Sequence, residues 1–325
     1  MNNNFKMIKS NNLYKLYKHL DKISYNSFKT TKQDTKKVYP LIQNKYIDKT
    51  FLSKAKKHNN VDVYKIKVNR TECVLFYYKN NKYKIDINKL INKISYILSL
   101  SKAKHKINIH LVLLEDKKIF DKKFESKNTN SGLTYRYGNN MSDIFVYRYE
   151  EYMKVLIHEL LHALRFSNIT NDNKTTKYYN KKYNIKCDEI IIDESYTEIM
   201  AKLLNCYLCC KYSKTNNYKY FNKLVSIEKR FCSIQASKIL DYIKDNPKIN
   251  INKHTHIVEY YLITNELFYN LDKFLENRLR DKDTFRTTKK NMINFVLNNN
   301  EYETVIINKK SKMYKTFRMT IIECE

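Results

Sequence analysis

Residues 150–166 form the stretch EEYMKVLIHELLHALRF, in which two histidines stand four positions apart among apolar residues. The pattern predicts a helix over Glu150–Phe166 that is apolar on almost all sides. Its two leading acids suit the amino end of a helix. Because residues four apart lie on one helical face, His158 and His162 can present two imidazole nitrogens to one ion.

Glu159 follows the first of these histidines within the motif HELLH. Its side chain is expected to project beside a bound metal, where a carboxylate can take a proton from water. Zinc lowers the pKa of a bound water and polarises a scissile carbonyl, so that hydrolysis becomes feasible near neutral pH. With 8 histidines in the chain, a chance match has a probability on the order of 1%. The motif predicts one Zn²⁺ ion, His158 and His162 as its ligands, and Glu159 as the catalytic base.

A catalytic zinc site takes a third protein ligand and keeps one position open. The extended motif with a third histidine six residues later is absent, because that position is Asn168. The next acidic cluster is DESYTEIMA at 193–201, on a helix predicted over about 189–212. Glu194 and Glu198 share a face of that helix, so one can bind the metal while the other hydrogen-bonds a ligand imidazole.

This combination resembles the gluzincin metallopeptidases, in which a second helix after the HExxH helix donates a glutamate ligand. The resemblance covers about 128–202 and points to no single subfamily. It implies Glu194 as the third ligand and Glu198 as a supporting residue outside the ligand set. In a rival alignment EIMA at 198–201 makes Glu198 the ligand, and the residue four positions later is then Lys202, which cannot accept from an imidazole. Both alignments stay open at this point.

Both glycines of the chain, Gly132 and Gly138, lie shortly before the motif. At such positions the backbone either approaches a neighbour closely or turns with positive φ. The resemblance implies an edge strand that pairs with a peptide substrate at Asn130, Ser131, Gly132, Leu133 and Thr134. An ordinary glycine turn in a hairpin is the alternative.

An oxyanion in the transition state usually needs a Tyr, His or Arg side chain that faces it. The candidates are Tyr196, which lies between the two glutamates, and His256 and Tyr260, which lie in a helix predicted over 254–278. The chain has 29 tyrosines, so an ordinary surface or core role is the alternative for each tyrosine.

The pattern divides the chain into three segments. Residues 1–60 carry 14 Lys against 3 Asp and predict a basic, helical amino-terminal arm. Residues 61–188 predict an α/β lobe with the edge strand and the motif helix. Residues 189–325 predict a mainly helical lobe that begins with the glutamate helix. The expected fold class is α+β, a zincin-like metallopeptidase with a mixed sheet and an active-site helix.

Smaller elements follow from local periodicity. Strands are predicted at 61–68, 73–78, 107–114 and 144–148, and a helix at 87–100. A polar loop is predicted at 168–186, and further helices at 217–244, 254–278 and 284–299.

The formal net charge of +29 suggests a polyanionic partner, but Lys, Asn, Ile and Tyr are abundant everywhere and no nucleic-acid motif accompanies them. The 7 cysteines lack the spacing of a disulfide scaffold, and Cys206, Cys209 and Cys210 are expected to be buried thiols. Neither a signal peptide nor a membrane span is evident, so a soluble, intracellular protein is expected.

The sequence therefore predicts a zinc metallopeptidase that hydrolyses peptide bonds of a peptide or protein substrate through a zinc-activated water. The alternative is a basic nucleic-acid-binding protein with a non-catalytic zincin core. A deformylase-like hydrolase is a third option, but it needs an upstream cysteine ligand, and only Cys73 precedes the motif.

Overall fold

The computed structural model describes residues 7–25, 31–34, 53–54, 57, 60–79, 82–121, 124–138, 140–167, 169, 172–280 and 284–323. Over these residues the chain is α+β with a mixed sheet, which confirms the predicted class at that level. None of the described helices is long and apolar enough to cross a membrane.

The sheet has six strands in the described residues: β1 Thr31–Asp34, β2 Val61–Val68, β3 Thr71–Tyr78, β4 Lys106–Leu114, β5 Gly132–Tyr137 and β6 Met141–Arg148. Their spatial order is β1-β2-β3-β4-β6-β5. β4 is parallel to β3 and to β6, and the other neighbours are antiparallel. All four strands predicted by alternation are confirmed, and β5 is the outermost strand beside β6.

The described α-helices are α1 Asn11–Asp21, α2 Ile87–Ser99, α3 Ser126–Thr129, α4 Tyr152–Ala163, α5 Asn173–Tyr183, α6 Ile192–Lys211, α7 Tyr218–Asp245, α8 Thr264–Tyr269, α9 Leu271–Arg280, α10 Lys289–Asn298 and α11 Lys312–Lys315. The motif helix (α4) and the glutamate helix (α6) lie where the sequence predicts them. The helix predicted over 254–278 is divided into a 3-10 turn at Lys253–Thr255, a π-helical segment at Val258–Ile263, α8 and α9.

The chain divides into two compact units. The sheet unit contains Ile23–Lys118 and Glu125–Arg165, and the helical unit contains Met1–Lys22, Ile119–Phe124 and Phe166–Cys324. The predicted segments 1–60, 61–188 and 189–325 rest on sequence pattern and stay a prediction. Within the predicted arm, α1 confirms a helix, and most of the rest lies outside the described residues.

The sheet unit buries side chains on both faces of its sheet. On one face the strands contribute a cluster of apolar residues that includes Phe76, Leu133 and Phe145. On the other face Ile144 and Val146 are fully buried, and the motif helix α4 packs on β5 and β6. The alternation of β6 therefore fixes which side of the sheet carries the motif helix.

The two acids before the motif helix hold the preceding loop. Glu151 has a left-handed backbone conformation at the helix start, with φ of 64°. Its carboxylate forms a fully buried ion pair with Lys118, at 3.0 Å between Nζ and Oε2. Burial lowers the pKa of Lys118 to about 8 despite this partner. The Lys118 backbone N–H donates to the Glu150 carboxylate at 2.7 Å. The acids therefore anchor the start of α4 rather than lie within its first turn.

The polar loop predicted over 168–186 is wrong in part, because α5 lies within it. Asp172 caps the helix by accepting from the Lys174 backbone N–H. The buried hydroxyl groups of Tyr179 and Tyr183 both donate to the Glu266 carboxylate, the first at 2.9 Å. A face stabilised by hydroxyl groups has no apolar periodicity, so the sequence pattern does not reveal this helix.

The expected buried thiols are confirmed at two of three positions. Cys206 and Cys210 are buried free cysteines. Cys209 is disulfide-bonded instead, so the expectation of a thiol is wrong there.

Candidate metal centre

Two imidazole rings converge on one face of the motif helix. Nε2 of His158 lies 3.1 Å from Nε2 of His162, and the two ring planes are inclined by 69°. Both residues are buried, and so are Ile157 and Leu161 beside them. Neutral imidazoles in this arrangement can share one proton, or each can give a nitrogen lone pair to the same cation.

The carboxylate of Glu159 is held by the edge strand β5. The Thr134 hydroxyl lies 2.8 Å from Oε2 of Glu159 and 3.0 Å from its carbonyl oxygen, and it can donate to either. Glu159 is buried, and it directly follows His158 in the sequence. The sequence predicts Thr134 as a substrate-pairing residue and does not reveal this contact. The one usable signal is strand alternation, which places Thr134 on the same face as Gly132.

Gly132 marks a close approach between β5 and the motif helix. A Cβ atom at this position would lie 2.7 Å from Cγ1 of Val155, 3.0 Å from the Phe145 carbonyl oxygen and 3.1 Å from Oε1 of Glu159. Any other residue would therefore push the strand away from the helix. Gly138 meets the other expectation, since its φ is +51° and a Cβ atom there would have no neighbouring atom within 4 Å. Gly132 thus allows a close approach of the backbone to a neighbour, and Gly138 allows a turn with positive φ.

Glu194 lies in the first turn of the glutamate helix and is half-buried. The Tyr260 hydroxyl donates to its Oε2 at 2.9 Å. At the start of the same helix, the Ile191 backbone N–H donates to Oε1 of Glu259 at 2.8 Å. Glu259 and Tyr260 belong to the π-helical segment, a rare geometry that is frequent at functional sites. Two consecutive residues of this segment therefore fix the helix start and the Glu194 carboxylate.

His158, His162 and Glu194 form a group that could hold a metal ion. Each offers one ligand atom, and these atoms all lie within 4.8 Å of one another. Ligands at about 2.0–2.2 Å from a tetrahedral ion are roughly 3.3 Å apart, which is close to the separation of the two imidazole nitrogens. Two imidazoles and one carboxylate are donors that first-row transition metals accept. The residues present therefore fit a bound metal ion.

Glu198 lies one turn further along α6, fully buried and outside that group. Its carboxylate is 3.7 Å from Nζ of Lys202, which also lies 3.1 Å from Glu228 and 3.0 Å from Sγ of Cys232. Burial alone would lower the pKa of Lys202, but attraction by Cys232, Glu228 and Glu198 outweighs it and raises that pKa. The supporting role of Glu198 toward a ligand imidazole stays a prediction.

The candidate oxyanion donors are in three different environments. Tyr196 is buried, and its hydroxyl donates to the Phe285 carbonyl at 2.6 Å. His256 is buried with Nδ1 3.6 Å from Oε1 of Glu259. The Tyr260 hydroxyl donates a hydrogen bond to the Glu194 carboxylate. Of these three, only Tyr260 makes a described hydrogen bond to a member of the metal-binding group.

The predicted edge strand is placed with a small shift. Asn130 and Ser131 precede the strand and are buried, whereas Gly132, Leu133 and Thr134 belong to β5. Leu133 turns to the apolar cluster on the far face of the sheet. The alternative, a hairpin with a glycine turn, is also present, because β5 and β6 are antiparallel neighbours joined near Gly138.

No protein-family model matches the chain, and neither a curated protein nor a solved structure is significantly similar to it. The likeness to gluzincins therefore remains an interpretation of the motif and of the glutamate helix.

Proposed function

We propose that the chain is a zinc-dependent metallopeptidase with a zincin-like fold that hydrolyses peptide bonds. The observation that carries the proposal is the group His158, His162 and Glu194, whose ligand atoms lie within 4.8 Å of one another. Two histidines and one glutamate form the protein ligand set of a known class of catalytic zinc site. The buried motif helix and the glutamate helix that follows it support the same interpretation.

Glu159 would act as the general base of this reaction. Zinc at the site would supply polarisation of the scissile carbonyl and a water of lowered pKa. The Glu159 carboxylate, oriented by the Thr134 hydroxyl, takes a proton from the attacking water and passes it to the leaving amine. The same hydrogen bond keeps the carboxylate in one orientation, which reduces the reorganisation that proton transfer needs.

Tyr260 is better suited to orient Glu194 than to stabilise an oxyanion. A phenol has one proton to donate, and that of Tyr260 already points to Oε2 of Glu194. The Tyr196 hydroxyl is likewise engaged by a backbone carbonyl. His256 faces Glu259, with its Nδ1 3.6 Å from Oε1, and its role as an oxyanion donor stays a prediction.

The test measures the metal content of the purified protein, and its hydrolysis of a substrate, after loading with Zn²⁺. We expect one zinc per chain by elemental analysis and cleavage of an unstructured protein such as casein. The Glu159→Gln variant should keep its zinc and lose at least about 100-fold in rate, because it lacks the base. The His158→Ala variant should lose the metal.

His19→Ala provides the matched control, since this exposed histidine lies on α1. It should keep both zinc and activity. A wild-type protein that takes up no stoichiometric zinc would overturn the proposal, and so would undiminished hydrolysis by Glu159→Gln.

A further inference from the structure

The edge strand β5 offers a surface for an extended peptide. Among the described strands it pairs with β6 alone, and it ends the sheet order. The outer side of such a strand presents backbone donors and acceptors to which another extended segment can add. The face of this strand that carries Thr134 also reaches the candidate base Glu159.

Arg136 belongs to that same face of β5. Side chains alternate along a strand, so Gly132, Thr134 and Arg136 point to one side, the side of the motif helix. The Thr134 hydroxyl donates to the Glu159 carboxylate, and a Cβ atom added at Gly132 would lie 3.1 Å from Oε1 of Glu159. Arg136 lies two residues beyond Thr134, a distance of about 7 Å along the strand. Its guanidinium therefore projects beside the path of a peptide that would reach the base.

The Arg136 guanidinium is available to a ligand. The residue is exposed, and within the described parts of the chain no hydrogen bond or ion pair engages its side chain. The nearby Arg165 differs, because its guanidinium donates to the Gly138 carbonyl and so fastens the hairpin turn. Arg148 on β6 differs again, because it is buried and donates to the Lys127 carbonyl. Arg136 is thus the arginine of this hairpin with no such structural contact.

We propose that Arg136 is a specificity-determining residue that selects peptide substrates with an acidic side chain, Asp or Glu. The inference rests on the proposed peptidase function. In antiparallel pairing with β5, a substrate residue opposite Arg136 precedes by two positions the residue opposite Thr134. A carboxylate there meets the guanidinium in a two-pronged, charge-assisted hydrogen bond. The net charge of +29 favours the approach of an acidic substrate as well.

The experiment compares two unstructured peptides that differ only by Glu or Gln at one position, scanned along the N-terminal side of the cleaved bond. For the wild type, kcat/KM should favour Glu by roughly 5- to 10-fold at one position. The ratio should fall toward one in Arg136→Gln. In Arg136→Glu it should reverse in favour of a peptide with Lys at that position.

Arg70→Gln is the matched control, since Arg70 is also exposed and lies in the turn between β2 and β3. It should keep the wild-type ratio. A Glu-to-Gln ratio that is the same in Arg136→Gln as in the wild type overturns the inference.

Binding separates this inference from the proposed function. The same peptides, labelled with a fluorophore, are titrated against Glu159→Gln with and without Arg136→Gln. A preference for Glu that disappears with Arg136→Gln supports the inference even if the wild type cleaves nothing, and in that case only the peptidase function fails. Binding without preference, or no binding of any peptide, overturns the inference.

Discussion

At the scale of single residues, the contact between Tyr260 and Glu194 joins positions that are 66 residues apart. The phenol donates to Oε2 of Glu194 and so restricts the orientation of a carboxylate that could bind a metal ion. Partners that orient a ligand in this way typically contribute 10- to 100-fold to metal affinity. Tyr260 is half-buried, so its hydroxyl contributes little to the stability of the fold.

We expect Tyr260→Phe to weaken zinc binding by roughly 10-fold, because Glu194 loses the phenol that orients its carboxylate. Affinity is measured by competition with a chromophoric chelator. Tyr261→Phe is the matched control, since the Tyr261 hydroxyl donates to the Phe317 carbonyl. That variant should lose about 1 kcal/mol of unfolding free energy and keep its zinc affinity. Equal affinities in the two variants would contradict the positioning role.

At the scale of elements, the β5–β6 hairpin and the motif helix depend on two glycines for different reasons. Gly132 allows contact between strand and helix, and Gly138 allows the left-handed turn. The first constraint comes from packing and the second from backbone conformation. The two constraints respond differently to the same substitution.

Gly132→Ala should lower the unfolding free energy by about 1–3 kcal/mol, because the new methyl group meets backbone at Phe145 as well as side chains. Gly138→Ala should cost about 1 kcal/mol through its positive φ alone. Gly138→Asn should recover part of that loss, since Asn tolerates the left-handed region. Urea denaturation measures all three. A Gly132→Ala protein as stable as the wild type would show that strand and helix can separate without cost.

Much of the element order is predictable from the sequence, and the exceptions have a physical cause. The motif helix and β6 bury apolar side chains at regular intervals, so periodicity reveals them. The helix α5 escapes prediction because Tyr179 and Tyr183 are buried through hydroxyl contacts with Glu266. The spacing of His158 and His162 indicates half of the metal-binding group.

The contact of Tyr260 with Glu194 could not be predicted, because it depends on a π-helical segment. Tyr260 lies within that segment, where the angular spacing of side chains differs from the 3.6-residue period on which the sequence pattern relies. The contact between Thr134 and Glu159 could not be predicted either. The Thr134 hydroxyl donates to the Glu159 carboxylate, which is 25 residues away in the sequence, and no local sequence pattern indicates a contact at that separation.

At the scale of the whole molecule, buried lysines make stability depend on pH. Lys238 on α7 is fully buried, and its Nζ donates to Oε1 of Gln235 at 2.5 Å and to the Thr316 carbonyl. Burial lowers the pKa of Lys238 to about 7, from 10.5. Between these values the unfolded chain binds more protons than the folded one, so stability rises with pH in that range.

We expect Lys238→Met to reduce this rise. The free energy of unfolding should exceed that of the wild type by on the order of 1 kcal/mol at pH 6, because the variant buries no charge. The difference should shrink as the pH increases from 7 toward 10.5. Urea denaturation at fixed ionic strength across this range measures it. A difference that does not change with pH would mean that Lys238 keeps an ordinary pKa in the folded protein.

The hydrogen bond from Tyr260 to Glu194 also has a consequence for synthesis, because the residues of the site leave the ribosome at different times. At about 5–20 residues per second, Tyr260 is synthesised roughly 5–20 s after His162. During that interval the nascent chain carries a pair of histidines without an oriented carboxylate, and such a pair binds Cu²⁺ more tightly than Zn²⁺. The concentrations of available metal ions in the cell, rather than the selectivity of the folded site, would then determine which ion the nascent chain binds first.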